Sequence, residues 1–233
     1  MPSREISASM LARTALLNGV DLKVLETLAS RVQFTSARAG EEVISAGTLG
    51  QTLYLVIHGT VKIKVDRPDG TEAVIAMLGP GDIVGELSAL DAARRSADVV
   101  ALEPTDLVAM ERAVLDELLG RQPVVARNML RLLSRRVRLS SEQIRALCSL
   151  DALGKVARQL LVFAEHYGIE SPGGVLVPMR LTQTDIGCMV GASRERTNQV
   201  MGVLKRMGLV SVDRSCRVTV HDTEKLSALV QSR

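Results

Sequence analysis

The segment Gly81-Asp-Ile-Val-Gly-Glu-Leu-Ser-Ala-Leu-Asp-Ala-Ala-Arg-Arg-Ser-Ala97 decides how the N-terminal half of this sequence folds. Gly85 lets backbone N–H groups approach a ligand closely, and a helical turn that opens at Glu86 directs its positive end outward, which suits an anion. Arg95 can donate paired hydrogen bonds to a phosphate, and Ser96 adds a hydroxyl donor. The segment therefore predicts a phosphate-binding turn.

The same segment resembles the phosphate-binding cassette of cyclic-nucleotide-binding domains, with Gly-Glu-Leu ending at Leu87 and Arg95 standing ten residues after Gly85. Glu86 is then interpreted as the acceptor of the free ribose 2′-OH, while Arg95 balances the negative charges of carboxylate and phosphate. A surface ion pair between Glu86 and Arg95 is the alternative. The complete pattern is far rarer than its parts, which favours the nucleotide site.

Short β-rich runs occupy residues from about 32 to 112, and turn residues such as Asp69-Gly70 and Gly79-Pro80-Gly81 separate them. Apolar and polar residues alternate with period two within these runs, which is typical of antiparallel strands. We expect an antiparallel sandwich or roll here. Residues 4–30, which precede it, look helical.

A long helix is predicted from Pro123 to about Leu147, because proline suits a first helical turn. Steps of four and three relate a set of its residues, as in the seam of a two-stranded coiled coil: Ala126, Leu130, Leu133, Val137, Ser140, Ile144 and Leu147. A single amphipathic helix lying on its own domain is the alternative. Ser140 and Ser141 make the seam polar, so we expect a polar group to reach it.

The C-terminal part predicts a winged helix-turn-helix. Asp151 is placed to cap a helix that runs to about Tyr167, and a Pro/Gly loop follows. The remaining predicted parts are two helices around a tight turn and a two-stranded wing: 182–190, 191–193, 194–207, 209–212 and 217–220. The break at 148–151 is a candidate hinge.

The segment 181–200 looks like the DNA-reading unit of a bacterial regulator. At the start of its second helix, Arg194 can read guanine and Glu195 can accept a hydrogen bond from cytosine. One turn later stand Asn198 and Gln199, whose amides favour adenine or a water-mediated contact. Five further residues are assigned to phosphate contacts: Arg180, Thr182, Ser193, Arg196 and Lys205.

Charge divides unevenly along the chain, with net values of −6 for residues 1–120, +6 for 121–147 and +3 for 148–233. A basic C-terminal half suits a polyanion such as duplex DNA. The three cysteines are widely spaced and are expected to be buried, reduced thiols, while the three histidines are isolated, so no metal site is predicted. Without an apolar run of about 20 residues or a signal pattern, we expect a cytoplasmic protein that does not contact a membrane.

From about residue 15 to the C-terminus, the chain resembles the cyclic-AMP receptor protein and fumarate–nitrate regulator (Crp/Fnr) family. In its cyclic-AMP-responsive branch the central helix carries Arg-Arg-x-x-x-[Ser/Thr]-Ser, which here is Arg135-Arg136-Val-Arg-Leu-Ser140-Ser141. The resemblance implies that Arg136 belongs to the nucleotide site. It also implies that Ser140 and Ser141, one from each protomer, contact the exocyclic amine of adenine.

The expected fold is α+β, with a cyclic-nucleotide-binding β-roll domain at 1–120, a coiled-coil dimerisation helix at 121–147 and a winged helix-turn-helix at 148–233. The expected function is a homodimeric, cyclic-AMP-dependent transcription regulator that reads a palindrome related to TGTGA…TCACA and contacts RNA polymerase. A ligand-independent regulator with a vestigial pocket is the main alternative. A cupin-type enzyme would need a metal cluster, and a regulator of a partner enzyme would not need a DNA-reading helix.

Overall fold

The computed structural model describes residues 5–68 and 70–231, so Asp69 of the predicted turn lies outside the described residues. The chain forms two compact units. The first combines Met1–Val65 with Ile75–Arg138, and the second combines Asp66–Val74 with Leu139–Arg233. The predicted division into three parts, with boundaries after residues 120 and 147, stays a prediction.

Helices and an antiparallel roll build the first unit. Its helices are α1 (Ala8–Ala12), α2 (Leu22–Ala29), α3 (Glu86–Asp91), α4 (Arg112–Arg121) and the first part of α5 (Pro123–Ser149). Its strands are β1 (Gln33–Ala37), β2 (Glu42–Ile44), β3 (Thr52–His58), β4 (Val61–Asp66), β5 (Glu72–Leu78), β6 (Ile83–Val84), β7 (Asp98–Ala101) and β8 (Thr105–Glu111). The predicted α+β architecture with an N-terminal roll is confirmed.

The eight strands form two four-stranded antiparallel sheets, ordered β1-β8-β3-β6 and β2-β7-β4-β5. Period-two alternation on β3 divides its side chains between two cores. Val56 packs between the sheets with residues such as Val61 and Leu107, whereas Leu53 and Leu55 pack against the helices. Each of these fully buried side chains contributes roughly 1.5–3 kcal/mol.

Helix α5 begins at Pro123 and ends at Ser149, close to its predicted bounds. Buried Asn128 holds the N-terminal half of α5 against the segment between α1 and α2. Its side-chain amide donates to the carbonyls of Leu16 at 3.0 Å and Asn18 at 2.8 Å. On another face of α5, Leu130 and Val137 are 67% and 66% exposed. The helix therefore lies on its own domain and still presents an uncovered apolar seam.

The second unit contains four further helices and a third sheet. Its helices are α6 (Ala152–Tyr167), α7 (Gln183–Val190), α8 (Arg194–Arg206) and α9 (Thr223–Gln231), and its strands are β9 (Ile169–Ser171), β10 (Gly174–Val177), β11 (Val210–Val212) and β12 (Val218–Val220). Asp151 caps α6 as predicted, since its carboxylate accepts from the Gly154 N–H at 2.9 Å.

The two predicted wing strands pair with each other as β11 and β12, but two features of this unit differ from the prediction. The wing belongs to a four-stranded sheet ordered β11-β12-β10-β9, because the apolar run that ends at Val177 pairs with β12. The predicted Pro/Gly loop contains the tight β9–β10 hairpin, in which the Ser171 hydroxyl donates to the Gly174 carbonyl at 2.6 Å. Proline and glycine indicated the turn, but nothing in this segment indicated the short strands on either side of it.

The cysteines also differ from expectation: Cys148 is exposed, and Cys188 and Cys216 are partly buried. Cys148 is exposed because it lies on an uncovered side of α5. Within the described residues, no cluster of His, Cys, Asp and Glu is arranged to hold a metal ion. None of the described helices combines the length and hydropathy that a membrane span requires.

Replacing Asn128 with alanine should lower the free energy of unfolding by about 2–3 kcal/mol, because two carbonyls in a buried environment lose their donor. Chemical denaturation followed by circular dichroism measures the change. The control is Ser134→Ala on the exposed surface of the same helix, which should stay within about 0.5 kcal/mol. Equal effects from both variants would refute the anchoring role of Asn128.

Candidate functional site

The guanidinium of Arg95 lies inside the turn that the sequence singled out. Arg95 is only 8% exposed. Its Nη1 donates to the Gly85 carbonyl and to the Ser88 hydroxyl, both at 2.7 Å, and its Nη2 donates to the Thr52 carbonyl at 2.6 Å. All three acceptors are neutral, so these bonds orient the charge without neutralising it.

Two glycines make room for this guanidinium. A Cβ at Gly50 would lie 2.2 Å from Nε of Arg95, and a Cβ at Gly85 would lie 2.5 Å from its Nη1. Gly85 also has a φ of +78° and is the N-cap of α3, a conformation that favours glycine. The sequence singled out Gly85 for another reason, the close approach of backbone N–H groups to a ligand, whereas Gly50 carries no motif that would have revealed it.

Glu86 begins α3, and its side chain is 3% exposed. Its carboxylate accepts a hydrogen bond from Nη1 of Arg136 on α5, and Nη2 of the same arginine donates to the Ile83 carbonyl. Arg136 is therefore the hydrogen-bonded partner of Glu86, while the charge of Glu86 also acts on Arg95. The Arg-Arg motif indicated Arg136 without giving this contact.

The charges of this site leave an excess of one positive charge, since two guanidinium groups stand near one carboxylate. Burial lowers the pKa of Arg95, and the negative charge of Glu86 acts in the opposite direction, as does Tyr54. A buried cation without a hydrogen-bonded carboxylate is costly unless an anion completes it. The residues therefore fit a singly charged phosphate diester.

The other predicted ligand residues lie at the surface. Leu87 is 49% exposed, and Ser96 is exposed next to buried Arg95. Ser140 and Ser141 are exposed on α5 in the second unit, between Val137 and Ile144 of the uncovered seam. Sequence reasoning missed Ser88, whose hydroxyl holds Arg95, because serine in a helical turn gives no distinctive signal.

Two N-caps position the helix-turn-helix in the second unit. The Thr182 hydroxyl accepts from the Asp185 N–H at 3.1 Å and begins α7, while the Ser193 hydroxyl accepts from the Arg196 N–H at 3.1 Å and begins α8. Gly191 makes the turn between them with a φ of +65°. Both hydroxyls assigned to phosphate contacts thus lie at helix N-termini, where N–H groups favour anions.

Buried residues fix the orientation of α8, above all Thr197 and Leu204, which are fully buried. The opposite surface of the helix exposes Arg194, Glu195, Arg196, Asn198, Gln199 and Lys205. Arg180, which precedes α7, is partly buried. The structure therefore presents most of the predicted DNA-binding side chains to solvent on one helix.

Within the second unit, a polar cluster joins α6 and α7 to the last turns of α5. Arg158 on α6 donates to Gln143 and to Glu142 of α5, each at 3.0 Å. Gln143 in turn donates to the Met189 carbonyl on α7 at 2.7 Å. We call Glu142, Gln143 and Arg158 the α5 latch, which sequence reasoning missed because it depends on how the helices pack.

The fold and the site define a regulator with a nucleotide-type anion site and a helix-turn-helix. The family model described as "Cyclic nucleotide-binding domain" matches residues 34–122, and that described as "Crp-like helix-turn-helix domain" matches residues 154–229. The chain belongs to the Crp/Fnr family and is a DNA-binding transcription regulator of that type. Proteins of this kind are not enzymes.

Among similar proteins, a "CRP-like cAMP-activated global transcriptional regulator" of Mycobacterium tuberculosis is 32% identical, with 94% of this chain and 97% of that protein covered. The "Cyclic AMP receptor protein" of Thermus thermophilus is 34% identical, with coverages of 73% and 76%. The structure of FixK2 from Bradyrhizobium japonicum has a TM-score of 0.74 at 20% identity, covers 85% of this chain and 96% of that chain, and supports the fold alone.

Replacing Arg158 with alanine should open the α5 latch, because two hydrogen bonds of a mostly buried side chain are lost. We expect amide hydrogen exchange in the last turns of α5 and in α6 to accelerate, with a destabilisation of about 1–3 kcal/mol. Arg145→Ala removes an exposed arginine from the same part of α5 and is the control. Unchanged exchange in the Arg158 variant would refute the latch.

Proposed function

We propose that this chain is a homodimeric regulator whose specific binding to duplex DNA depends on cyclic AMP. The observation that carries the proposal is the buried guanidinium of Arg95, which is oriented by neutral acceptors. A vestigial pocket would have no reason to keep this uncompensated charge. The cyclic nucleotide acts as an effector and undergoes no reaction.

In the proposed complex, Arg95 and Ser96 bind the cyclic phosphate, and backbone groups of the turn at Gly85 and Leu87 line its surroundings. Glu86 accepts the ribose 2′-OH and is held in place by Arg136. Ser140 and Ser141, one from each protomer, bind the exocyclic amine of adenine. These assignments follow from family resemblance together with the positive charge of the site.

Dimerisation is proposed along the exposed side of α5. Leu130, Val137 and Ile144 recur every seven residues and are 67%, 66% and 63% exposed. Such a row of apolar residues is costly in water and matches one position of a coiled-coil heptad. A second copy of α5 is the occupant that this spacing favours, and it would bring Ser140 and Ser141 into a polar layer.

The DNA-binding assignment places α8 in the major groove, where Arg194 and Glu195 read base edges and Asn198 and Gln199 face the next bases. Arg180, Thr182, Ser193, Arg196 and Lys205 are assigned to phosphates. Two recognition helices of a dimer would meet successive major grooves, about 34 Å apart. The proposed site is a palindrome related to TGTGA…TCACA.

Ligand binding is proposed to shift the population of two arrangements of the DNA-binding helices, with the segment 148–151 as the hinge. The loop segment 168–175 is a proposed contact for RNA polymerase, and its β9–β10 hairpin gives it a defined shape. Both proposals rest on resemblance to the family.

Replacing Arg95 with alanine should abolish cyclic-AMP binding in isothermal titration calorimetry, because the phosphate loses its charged donor. Arg94→Ala is the matched control, since the neighbouring Arg94 is exposed and donates only to the Gly47 carbonyl among its described contacts. The control should bind normally. Normal binding by a folded Arg95 variant would refute the cassette assignment.

Fluorescence anisotropy with a TGTGA…TCACA duplex at a stated salt concentration tests effector dependence. Cyclic AMP should tighten binding more than cyclic GMP does, because Ser140 and Ser141 are proposed to bind the exocyclic amine of adenine; equal effects would show that the serine hydroxyls also donate to the guanine carbonyl. Specific binding that neither nucleotide changes would favour the ligand-independent alternative.

Replacing Arg194 with alanine should weaken specific binding by about 1–3 kcal/mol and leave binding to random DNA much less affected. Lys205→Ala should weaken both alike, as expected for a phosphate contact. Equal losses in the Arg194 variant would make Arg194 a phosphate contact as well.

A further inference from the structure

Tyr54 brings a phenol to the anion site of the first unit. It lies on β3 and pairs with Val84 of β6, the residue directly before Gly85 of the turn. Two residues earlier on the same strand, the carbonyl of Thr52 accepts a hydrogen bond from Arg95 at 2.6 Å. The pairing of β3 with β6 therefore holds Tyr54 next to the turn in which the guanidinium is fixed.

The ring of this tyrosine is partly buried and packs against the core between the two sheets of the roll, which includes Ile44 and Val84. Its hydroxyl has no comparable partner, since across residues 5–68 and 70–231 no protein group forms a hydrogen bond with it. A tyrosine hydroxyl in partly apolar surroundings usually has such a partner. The hydroxyl of Tyr54 is therefore available to a ligand.

The electrostatics of Arg95 indicate that the phenol oxygen lies close to its guanidinium. Burial lowers the pKa of Arg95, and two groups raise it, of which Tyr54 acts more strongly than Glu86. Electrostatic interactions weaken with distance, so a strong effect requires a near neighbour. At neutral pH the hydroxyl carries no charge, and it can donate a hydrogen bond to an anion bound at Arg95.

We infer that Tyr54 is a further ligand-binding residue of the nucleotide site, and that its hydroxyl donates a hydrogen bond to the cyclic phosphate that Arg95 binds. The inference rests on the proposed function, in which this phosphate lies at Arg95 and Ser96. A neutral donor leaves the net charge of the site unchanged, so the site still suits a singly charged diester. The alternative is that Tyr54 serves only to pack the core between the sheets.

The substitution Tyr54→Phe removes the hydroxyl and keeps the ring. Isothermal titration calorimetry should show that cyclic AMP binds about tenfold more weakly, because a hydrogen bond to a charged acceptor is lost. The ligand-free variant should unfold at the same denaturant concentration as the unsubstituted protein. Tyr167→Phe is the matched control, since it makes the same change at the other tyrosine of the chain, in the second unit, and should bind cyclic AMP normally.

The two phosphorothioate diastereomers of cyclic AMP, in which sulfur replaces one or the other exocyclic oxygen, separate a phosphate contact from packing. Because sulfur accepts hydrogen bonds weakly, Tyr54→Phe should cost at most about threefold for one diastereomer and still about tenfold for the other. Unchanged affinity for cyclic AMP in the variant, or equal losses with cyclic AMP and both analogues, would overturn the inference. If the unsubstituted protein did not bind cyclic AMP at all, the proposed function would be refuted, and the inference with it.

Discussion

The buried charge of Arg95 constrains the whole N-terminal unit. Its guanidinium donates hydrogen bonds to the end of β3 and to the turn before α3, so strands distant in sequence must meet around it. Gly50 and Gly85 are required because any side chain there would occupy the same space. The turn is thus assembled around a cation that protein groups hold in place, and such preorganisation reduces the cost of ordering a site on binding.

Helix α5 makes contacts within both units, and it uses different residues in each. Arg136 reaches Glu86 in the first unit, and Asn128 ties the N-terminal half to the loop before α2. Within the second unit, the α5 latch fixes the DNA-binding helices to the last turns of α5. Gln143 and Arg158 thus tie α7 and α6 to the last turns of α5 within this unit.

Local patterns predicted the parts of the structure that depend on local chemistry. Period-two alternation indicated the strands, Asp151 marked the start of α6, and the cassette pattern singled out Gly85 and Arg95, which contact each other in the turn. Contacts between distant segments could not be predicted in this way. Arg136 was assigned to the site, but its pairing with Glu86 depends on how α5 packs on the roll. The sheet of the wing is larger than predicted because β10, which precedes the helix-turn-helix in the chain, pairs with β12.

Side-chain contacts on helix α8 were likewise not predictable from local sequence patterns. Periodicity places Gln199 on the exposed surface of α8 because Thr197 and Val200 must be buried. Periodicity does not predict, however, that the Gln199 amide oxygen accepts a hydrogen bond from Arg196, three residues away on the same surface. The surface that α8 exposes is therefore arranged by contacts between neighbouring polar side chains as well as by the burial of its other face.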